Sequence, residues 1–325
     1  MKTSIRTKFG ALVAAVALAT LSACATGAAG ENSPTPTAST SAEESAAAGT
    51  VSITHAQGTT DVPVNPKNVF VFDMGVLDSM TALGLEAQGV PEGVYPESLK
   101  KYATDEFVKI GSMKEPDFEA IAAGDPDLII ISGRTAGSFE ELSKIAPTID
   151  LSVDSADLMG SFETQARNLG TVFDKSAEVD EKLVAIEAQV AATKAKSADA
   201  GTALIVMTSA GELTAYGAGS RFGLIHDELG IAPATEVKHD GAHGEAISFE
   251  YIKEANPDIL FVIDRDSAMG TAGDAAKAVL DNDLVAATNA AKNDRVIYLD
   301  SNGWYYVGYG LTNLPAMIAQ VDAAL

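Results

Sequence analysis

The sequence has little cysteine, tryptophan and arginine, and it has no long apolar run after its first residues. Its 325 residues include one cysteine, Cys24, and one tryptophan, Trp304. A single thiol excludes an internal disulfide and a metal site built from cysteines. After residue 23, no stretch is apolar enough to cross a bilayer as a helix. Arginine is also scarce after residue 23, where it occurs at Arg134, Arg167, Arg221, Arg265 and Arg295.

Positive charge is scarce overall, because 22 lysines and arginines stand against 45 aspartates and glutamates, for a net charge of −23. Loss of Lys2, Arg6 and Lys8 with a cleaved leader would take that charge from −23 to −26. Such an acidic chain argues against nucleic acid as a partner. We interpret the acidic surface as solubilising.

The first 23 residues have the pattern of an export signal. Three cationic residues precede the apolar run 11–21, and small residues precede Cys24. Leu21-Ser22-Ala23-Cys24 resembles the lipobox of bacterial lipoproteins, which predicts a lipid on Cys24; the alternative is an ordinary signal peptide with an incidental cysteine. Residues 24–49 are rich in Ser, Thr, Pro and Ala and are predicted to form a disordered tether. The protein is expected on the extracytoplasmic face of the cell membrane.

Two segments, 118–134 and 249–265, repeat one pattern at an offset of 131 residues, with six of 17 positions identical. Each has an N-cap residue, Asp117 or Ser248, ahead of a short apolar helix. A proline then precedes four apolar residues, a run typical of a strand buried on both faces of a parallel sheet. The sequence therefore predicts two copies of one α/β unit.

The remaining pattern places these copies in two lobes. We predict a first lobe over 50–157 and a second over 199–325. Residues 158–198 lack proline and have apolar residues near helical spacing, which predicts one long helix or a helix pair as the only link. A hairpin is expected over 51–64, a strand over 69–72 and a helix over 75–83.

Three arginines follow predicted strands. Arg134 and Arg265 lie just after the repeated strands, where open α/β sheets bind ligands, and Arg221 lies in the glycine-rich segment 217–223. That segment lacks the Lys-Ser/Thr of a phosphate loop. Scattered surface salt bridges are the alternative, but three convergent guanidinium groups favour an anionic ligand, since arginine stays charged and its fork bonds several oxygens.

Histidine and tyrosine supply the remaining candidate ligands. His239 and His243 flank a glycine-containing loop, and this spacing alone is weak evidence for a metal site. Trp304, Tyr305 and Tyr306 follow another predicted strand. Their pattern is compatible with core packing or with phenolate ligands for iron(III), and spacing favours core packing.

Several of these segments together resemble the catecholate-siderophore-binding proteins of ferric-siderophore ABC importers, in collinear order over roughly 50–325. The segments are Leu77-Asp78-Ser79, Ile130-Ile131-Ser132-Gly133-Arg134, Ser220-Arg221-Phe222-Gly223, His243-Gly244-Glu245, Phe261-Val262-Ile263-Asp264-Arg265 and Trp304-Tyr305.

The resemblance implies a bilobal class III substrate-binding protein, with two Rossmann-like α/β lobes joined by one long helix. It implies that Arg134, Arg221 and Arg265 surround the iron-catecholate oxygens, with Trp304 beside them. His243 and Tyr305 would complete the iron sphere when a linear siderophore supplies only two catecholates. The chain departs from the family at Tyr306-Val307-Gly308-Tyr309-Gly310, which leaves the choice between Tyr305 and Tyr306 open.

In function, the resemblance implies a monomeric lipoprotein without enzymatic activity or an intrinsic cofactor, which delivers a ferric siderophore to an ABC permease dimer and its ATPase. Haem or cobalamin capture on the same fold is the alternative, and a secreted hydrolase is disfavoured because no Gly-x-Ser-x-Gly elbow exists. The family docks through one acidic residue on each lobe, which carries over to Glu119 and Glu250. The alternative for both is stabilisation of a helix N-terminus.

Overall fold

The computed structural model describes residues 49–238, 243–271 and 275–325. The predicted signal peptide, the predicted lipidation site Cys24 and all of the predicted tether except Gly49 lie outside these residues. Within the described ranges, no helix is both long and apolar enough to cross a membrane.

Thirteen strands are described. They are β1 (Thr50–His55), β2 (Gly58–Pro63), β3 (Val69–Val71), β4 (Gly89–Val90), β5 (Val108–Lys109), β6 (Leu128–Ile131), β7 (Thr148–Asp150), β8 (Thr202–Ser209), β9 (Glu212–Tyr216), β10 (Ala232–Pro233), β11 (Glu245–Ile247), β12 (Ile259–Asp264) and β13 (Val296–Tyr298).

The helices of the described chain surround these strands. They are α1 (Met74–Ala82), α2 (Phe118–Ala123), α3 (Phe139–Leu142), α4 (Leu158–Val172), α5 (Ser176–Ser197), α6 (Phe249–Ala255), α7 (Arg265–Ala268), α8 (Ala275–Leu280), α9 (Asp283–Ala286), α10 (Asn289–Lys292) and α11 (Asn313–Asp322). Short 3₁₀ turns lie at Glu97–Ala103 and Ala136–Ser138, and π-helical turns at Leu224–Glu228 and Asn302–Val307.

The strands form two main sheets, one in each predicted lobe. The first has the order β5-β4-β3-β6-β7, and all its pairings are parallel. The second has the order β11-β9-β8-β12-β13, with β10 paired to the start of β8. In it, β8, β12 and β13 are parallel, whereas β9 and β11 run antiparallel to their neighbours. The hairpin β1-β2 is separate.

The repeat predicted from the sequence is confirmed in both lobes. Strands β6 and β12 are buried along their whole length between parallel neighbours. The Asp117 carboxylate accepts the N–H groups of Glu119 and Ala120 at the start of α2, and the Ser248 hydroxyl caps α6. Asp125 and Asn256, also 131 residues apart, end these helices with positive φ values of 48° and 43°, so the repeat extends to the left-handed turn before each strand.

The connection between the sheets is a helix pair, which is one of the two alternatives that the sequence predicts for residues 158–198. Helix α4 ends at Val172 and α5 begins at Ser176. Asp174, between them, has a φ of 53°, which is outside the helical range. The two helices pack against each other. The lobe limits at 157 and 199 stay predictions.

The hydrophobic core is shared by both lobes. One cluster of buried side chains includes Val71 and Leu77 from the first lobe, Leu183 from α5, and Ile205 and Ile318 from the second lobe. Because the core is continuous, the described residues form one compact unit. Separating the lobes widely would expose part of this core to water.

Candidate functional site

Arg134 and Arg265 lie where the sheet topology predicts. Arg134 follows β6, and Arg265 is the first residue of α7, directly after β12. The same rule does not place Arg221, because β9 runs antiparallel to β8 and ends toward the opposite edge. The glycine-rich loop after β9 instead carries the Arg221 guanidinium to the same cleft as the other two. The three arginines therefore lie together, and the carboxyl-end argument accounts for only two of them. Their role in ligand binding stays a prediction.

The three guanidinium groups converge on Tyr305. Arg134 Nη2 and Arg221 Nη2 each donate to the Tyr305 main-chain carbonyl at 2.8 Å. Arg265 Nε donates to the Tyr305 hydroxyl at 2.8 Å. The Cζ atoms of Arg221, Arg265 and Arg134 lie 4.9, 5.5 and 6.0 Å from the centre of the Tyr305 ring, which is within cation–π range. One residue therefore holds all three cations in place.

The local backbone explains why the Tyr305 carbonyl is available to two arginines. Tyr305 lies in the last turn of the π-helical segment Asn302–Val307, and carbonyls at a helix end lack partners within the helix. Gly308 ends this segment with a φ of 69°, a conformation that favours glycine. The Asn313 side-chain amide donates to the carbonyls of Gly303 and Gly308 at 2.9 and 2.6 Å and fixes the segment.

The Tyr305 segment is also tied to the first lobe. The Asp78 carboxylate on α1 accepts the N–H groups of Thr312 and Asn313 at 2.8 and 3.0 Å, at the start of α11. A Cβ on Gly75 would lie 2.4 Å from the Tyr309 carbonyl oxygen, so α1 packs against the backbone beyond the segment. These contacts preorganise the arginine-binding backbone across both lobes.

The charge of the arginine cluster is not neutralised by ion pairs in the described part of the chain. None of the ion pairs formed by described residues involves Arg134, Arg221 or Arg265. By contrast, Arg167 pairs with Asp180 on the surface. The pKa of Arg221 is lowered by burial and by the like charge of Arg134. A cationic site of this kind favours an anionic ligand.

The structure distinguishes Tyr305 from Tyr306. The Tyr305 side chain is half-buried and contacts Arg265, whereas Tyr306 is only 6% exposed. Burial is the largest cause of the raised pKa of Tyr306, and its hydroxyl lies against the backbone near Gly93 and Val94. The hydroxyl among the arginines is therefore that of Tyr305, and its role as an iron ligand stays a prediction.

Trp304 and His243 differ in exposure. Trp304 is 1% exposed, so its indole is a buried neighbour of the cluster rather than an exposed platform. His243 is exposed. The backbone of its neighbour Gly244 contacts Tyr216. Burial raises the pKa of Tyr216, and Arg221 and the Gly244 backbone partly oppose that increase. His243 is thus exposed next to a residue whose backbone contacts Tyr216, while His239 lies outside the described residues.

Sequence reasoning missed several residues of the cleft. Ser209, the last residue of β8, accepts a hydrogen bond from Arg265 Nη1 at 3.1 Å. Asp73 follows β3, caps α1 through the Val76 N–H at 3.0 Å, and has a pKa that burial raises. Arg134 acts against that shift. The carboxyl-end rule applied to the arginines would have found both residues.

Glu119 and Glu250 are exposed in the first turns of the repeated helices α2 and α6. The pKa of Glu250 is lowered, first by its own backbone N–H and then by the Ser248 side chain. In α2, the Asp117 carboxylate already accepts the Glu119 N–H at 3.1 Å. The helix-end explanation therefore has direct support at Glu250, whereas Asp117 performs this function in α2.

A cavity of about 340 Å³ opens beside the cluster and is lined by both Arg134 and Arg221. It continues between α1, α4, the Tyr305 segment and α11. Among the described residues, no group of three or more His, Cys, Asp or Glu side chains is arranged to hold a metal ion.

Comparison with known proteins gives consistent matches over most of the chain. The family model described as "Periplasmic binding protein" matches residues 69–302. The petrobactin-binding protein YclQ of Bacillus subtilis (strain 168) is 46% identical over 270 residues, which cover 82% of this chain and 84% of the relative. The ferric-anguibactin-binding protein FatB of Vibrio anguillarum (strain ATCC 68554 / 775) is 33% identical, over 83% of this chain and 85% of the relative.

A solved structure agrees with these sequence matches. The periplasmic catecholate-siderophore binding protein VctP from Vibrio cholerae aligns with a TM-score of 0.80 and 38% identity, covering 84% of this chain and 99% of that one. The expected fold is confirmed by this similarity, and the relatives named here are binding proteins.

Proposed function

The chain belongs to the periplasmic binding protein family, and on that basis we propose that it captures a ferric siderophore of the catecholate type and delivers it to an ABC permease. The observation that carries this proposal is the convergence of Arg134, Arg221 and Arg265 on Tyr305. A ferric tris-catecholate has a formal charge of about −3, which complements three guanidinium groups. The iron is cargo that arrives with its chelator.

Other ligands and activities fit the cleft less well. Haem or cobalamin would favour a more apolar cleft with fewer arginines at its centre. The relatives reported above are named for siderophores and not for catalysis. We therefore propose a receptor that binds without enzymatic activity and acts as a monomer on a permease dimer with its ATPase.

Fluorescence titration with several ferric siderophores tests the proposal directly. Trp304 is the sole tryptophan and precedes the residue that joins the three arginines. We expect saturable quenching by ferric catecholates and little response to iron-free haem analogues or to cobalamin. Saturable binding of cobalamin or haem, without binding of any ferric siderophore, would contradict the proposed function.

We propose that His243 and Tyr305 bond iron only when the chelator leaves coordination positions open. His243→Ala and Tyr305→Phe are then expected to weaken binding of ferric bis-catecholates far more than binding of hexadentate tris-catecholates. Paired titrations with one ligand of each type measure the difference. Equal losses for both ligands would show that the two residues only shape the cleft, and Tyr306→Phe serves as the matched control.

We propose that a lipid on Cys24 anchors the protein to the extracytoplasmic face of the membrane. Cys24→Ala is expected to release the protein into the medium or the soluble fraction, because no other thiol can carry the anchor. Cell fractionation and immunoblotting measure the release. Retention of the variant in the membrane fraction would rule out this anchor.

A further inference from the structure

The cavity beside the arginines, which we call the rear compartment, is lined mainly by apolar side chains. These side chains come from α1, the end of β7, α4 and α11, and include Val76, Leu151, Phe162, Leu169 and Met317. Phe162, Leu169 and Met317 are each 3% exposed or less. Its volume of about 340 Å³ falls within the range of small-molecule sites, which combine apolar walls with a few polar groups.

The rear compartment is continuous with the cationic cluster. Arg134, Arg221 and Tyr305 are among its lining residues, together with Trp304 and Val307. A substituent that is bonded to a head group held among the arginines could therefore extend to the apolar walls of the cavity. A cavity of about 340 Å³ has room for a chain of several heavy atoms.

Polar side chains along the rear compartment already have partners, with one exception. The Asp73 carboxylate accepts the Val76 N–H, and Gln165 Nε2 donates to the Ser152 carbonyl at 3.3 Å. The Tyr309 hydroxyl donates to the Arg221 carbonyl at 2.9 Å. Trp304 Nε1 is buried and has no hydrogen-bond partner among the described residues. The compartment thus offers mainly apolar surface to a ligand.

We propose that the rear compartment binds an uncharged, largely apolar arm of the siderophore. This inference rests on the proposed function, and it adds the class of chelator: one whose catecholate head carries a hydrocarbon arm. A charged arm is disfavoured, because the mainly apolar walls would remove water from the charge. In this proposal the arginines bind the anionic catecholate head, and the rear compartment binds the apolar arm.

Two chelators that differ only in the arm test this inference. They are the ferric 1:3 complexes of N-methyl-2,3-dihydroxybenzamide and N-hexyl-2,3-dihydroxybenzamide, each in excess ligand. Both are titrated against the full chain carrying Cys24→Ala, with Trp304 emission as the readout. Each buried methylene is worth about fourfold in affinity at most, so we expect the hexyl complex to bind at least about tenfold more tightly.

Variants that fill the rear compartment supply the structural control. Ala166→Phe on α4 and Val153→Phe after β7 add volume from two sides of the cavity. We expect both to bring the affinity for the hexyl complex down to that for the methyl complex, which should itself be unchanged. Val184→Phe, on the exposed face of α5, adds the same ring elsewhere and should leave the tenfold preference intact. Melting temperatures identify any variant that fails to fold.

The possible outcomes separate the two proposals. Equal binding of both complexes to the parent chain would overturn the arm compartment and leave the proposed function standing. Equal losses for both complexes in Ala166→Phe and Val153→Phe would also overturn it, because the cavity would then only support the cleft. Failure of both complexes to bind, together with the ferric siderophores used above, would contradict the proposed function itself.

Discussion

Arg134→Ala, Arg221→Ala and Arg265→Ala are each expected to weaken binding of a ferric tris-catecholate by about tenfold or more. A hydrogen bond to a charged group is worth about 1.5 to 3 kcal/mol, and about 1.4 kcal/mol corresponds to a factor of ten. The two arginines that share the Tyr305 carbonyl, Arg134 and Arg221, are close enough for their charges to repel. An anion between them would relieve that repulsion, so their losses are expected to be the largest.

Arg167→Ala is the matched control for these variants. It removes the same charge from an exposed ion pair with Asp180 on the connecting helices. Exposed ion pairs contribute little to the stability of the folded state. Its affinity should therefore equal that of the parent, and salt should weaken binding in the parent more than in the cleft variants. Unchanged tight binding in all three cleft variants would contradict the assignment of the cleft.

The buried strands and their helix caps could be predicted from the sequence because both signals are local. The short apolar runs that follow Pro126 and Pro257 indicate strands buried on both faces of a sheet. Asp117 and Ser248 accept hydrogen bonds from N–H groups only two or three residues away. The positions of Arg134 and Arg265 then followed from topology. Their shared contact with Tyr305 could not be predicted, because a hydrogen bond to a main-chain carbonyl, such as that of Arg134, leaves no residue pattern in the sequence.

The features that the sequence missed depend on contacts between distant segments. The direction of β9 is set by its pairing with β8, so Arg221 reaches the cleft by a route that strand order alone could not give. The break between α4 and α5 lies at Asp174, which has no proline or glycine beside it to mark it. The rear compartment joins α4 to α11, and Phe162 and Met317 have apolar patterns that also suit an ordinary core.

The combined change Glu119→Arg and Glu250→Arg is expected to abolish siderophore import while leaving siderophore affinity and melting temperature nearly unchanged. The two glutamates are exposed at equivalent positions of the repeat, one in each lobe, and a permease dimer has two equivalent docking surfaces. The family resemblance implies that such acidic residues pair with permease arginines. Charge reversal would replace attraction by repulsion at both contacts, which costs several kcal/mol in well-matched interfaces.

Glu181→Arg with Glu187→Arg is the control, because it makes the same change in net charge at exposed positions of α5. Uptake of a radiolabelled ferric siderophore is measured for both double variants, alongside binding and thermal unfolding of the purified proteins. The single variants separate the alternatives further. Asp117 already bonds the Glu119 N–H, so Glu119→Arg should reduce import without destabilising α2, whereas Glu250→Arg also removes a carboxylate that bonds its own helix end. If import survives the double change at Glu119 and Glu250, both glutamates serve helix-end electrostatics and the permease contacts another surface.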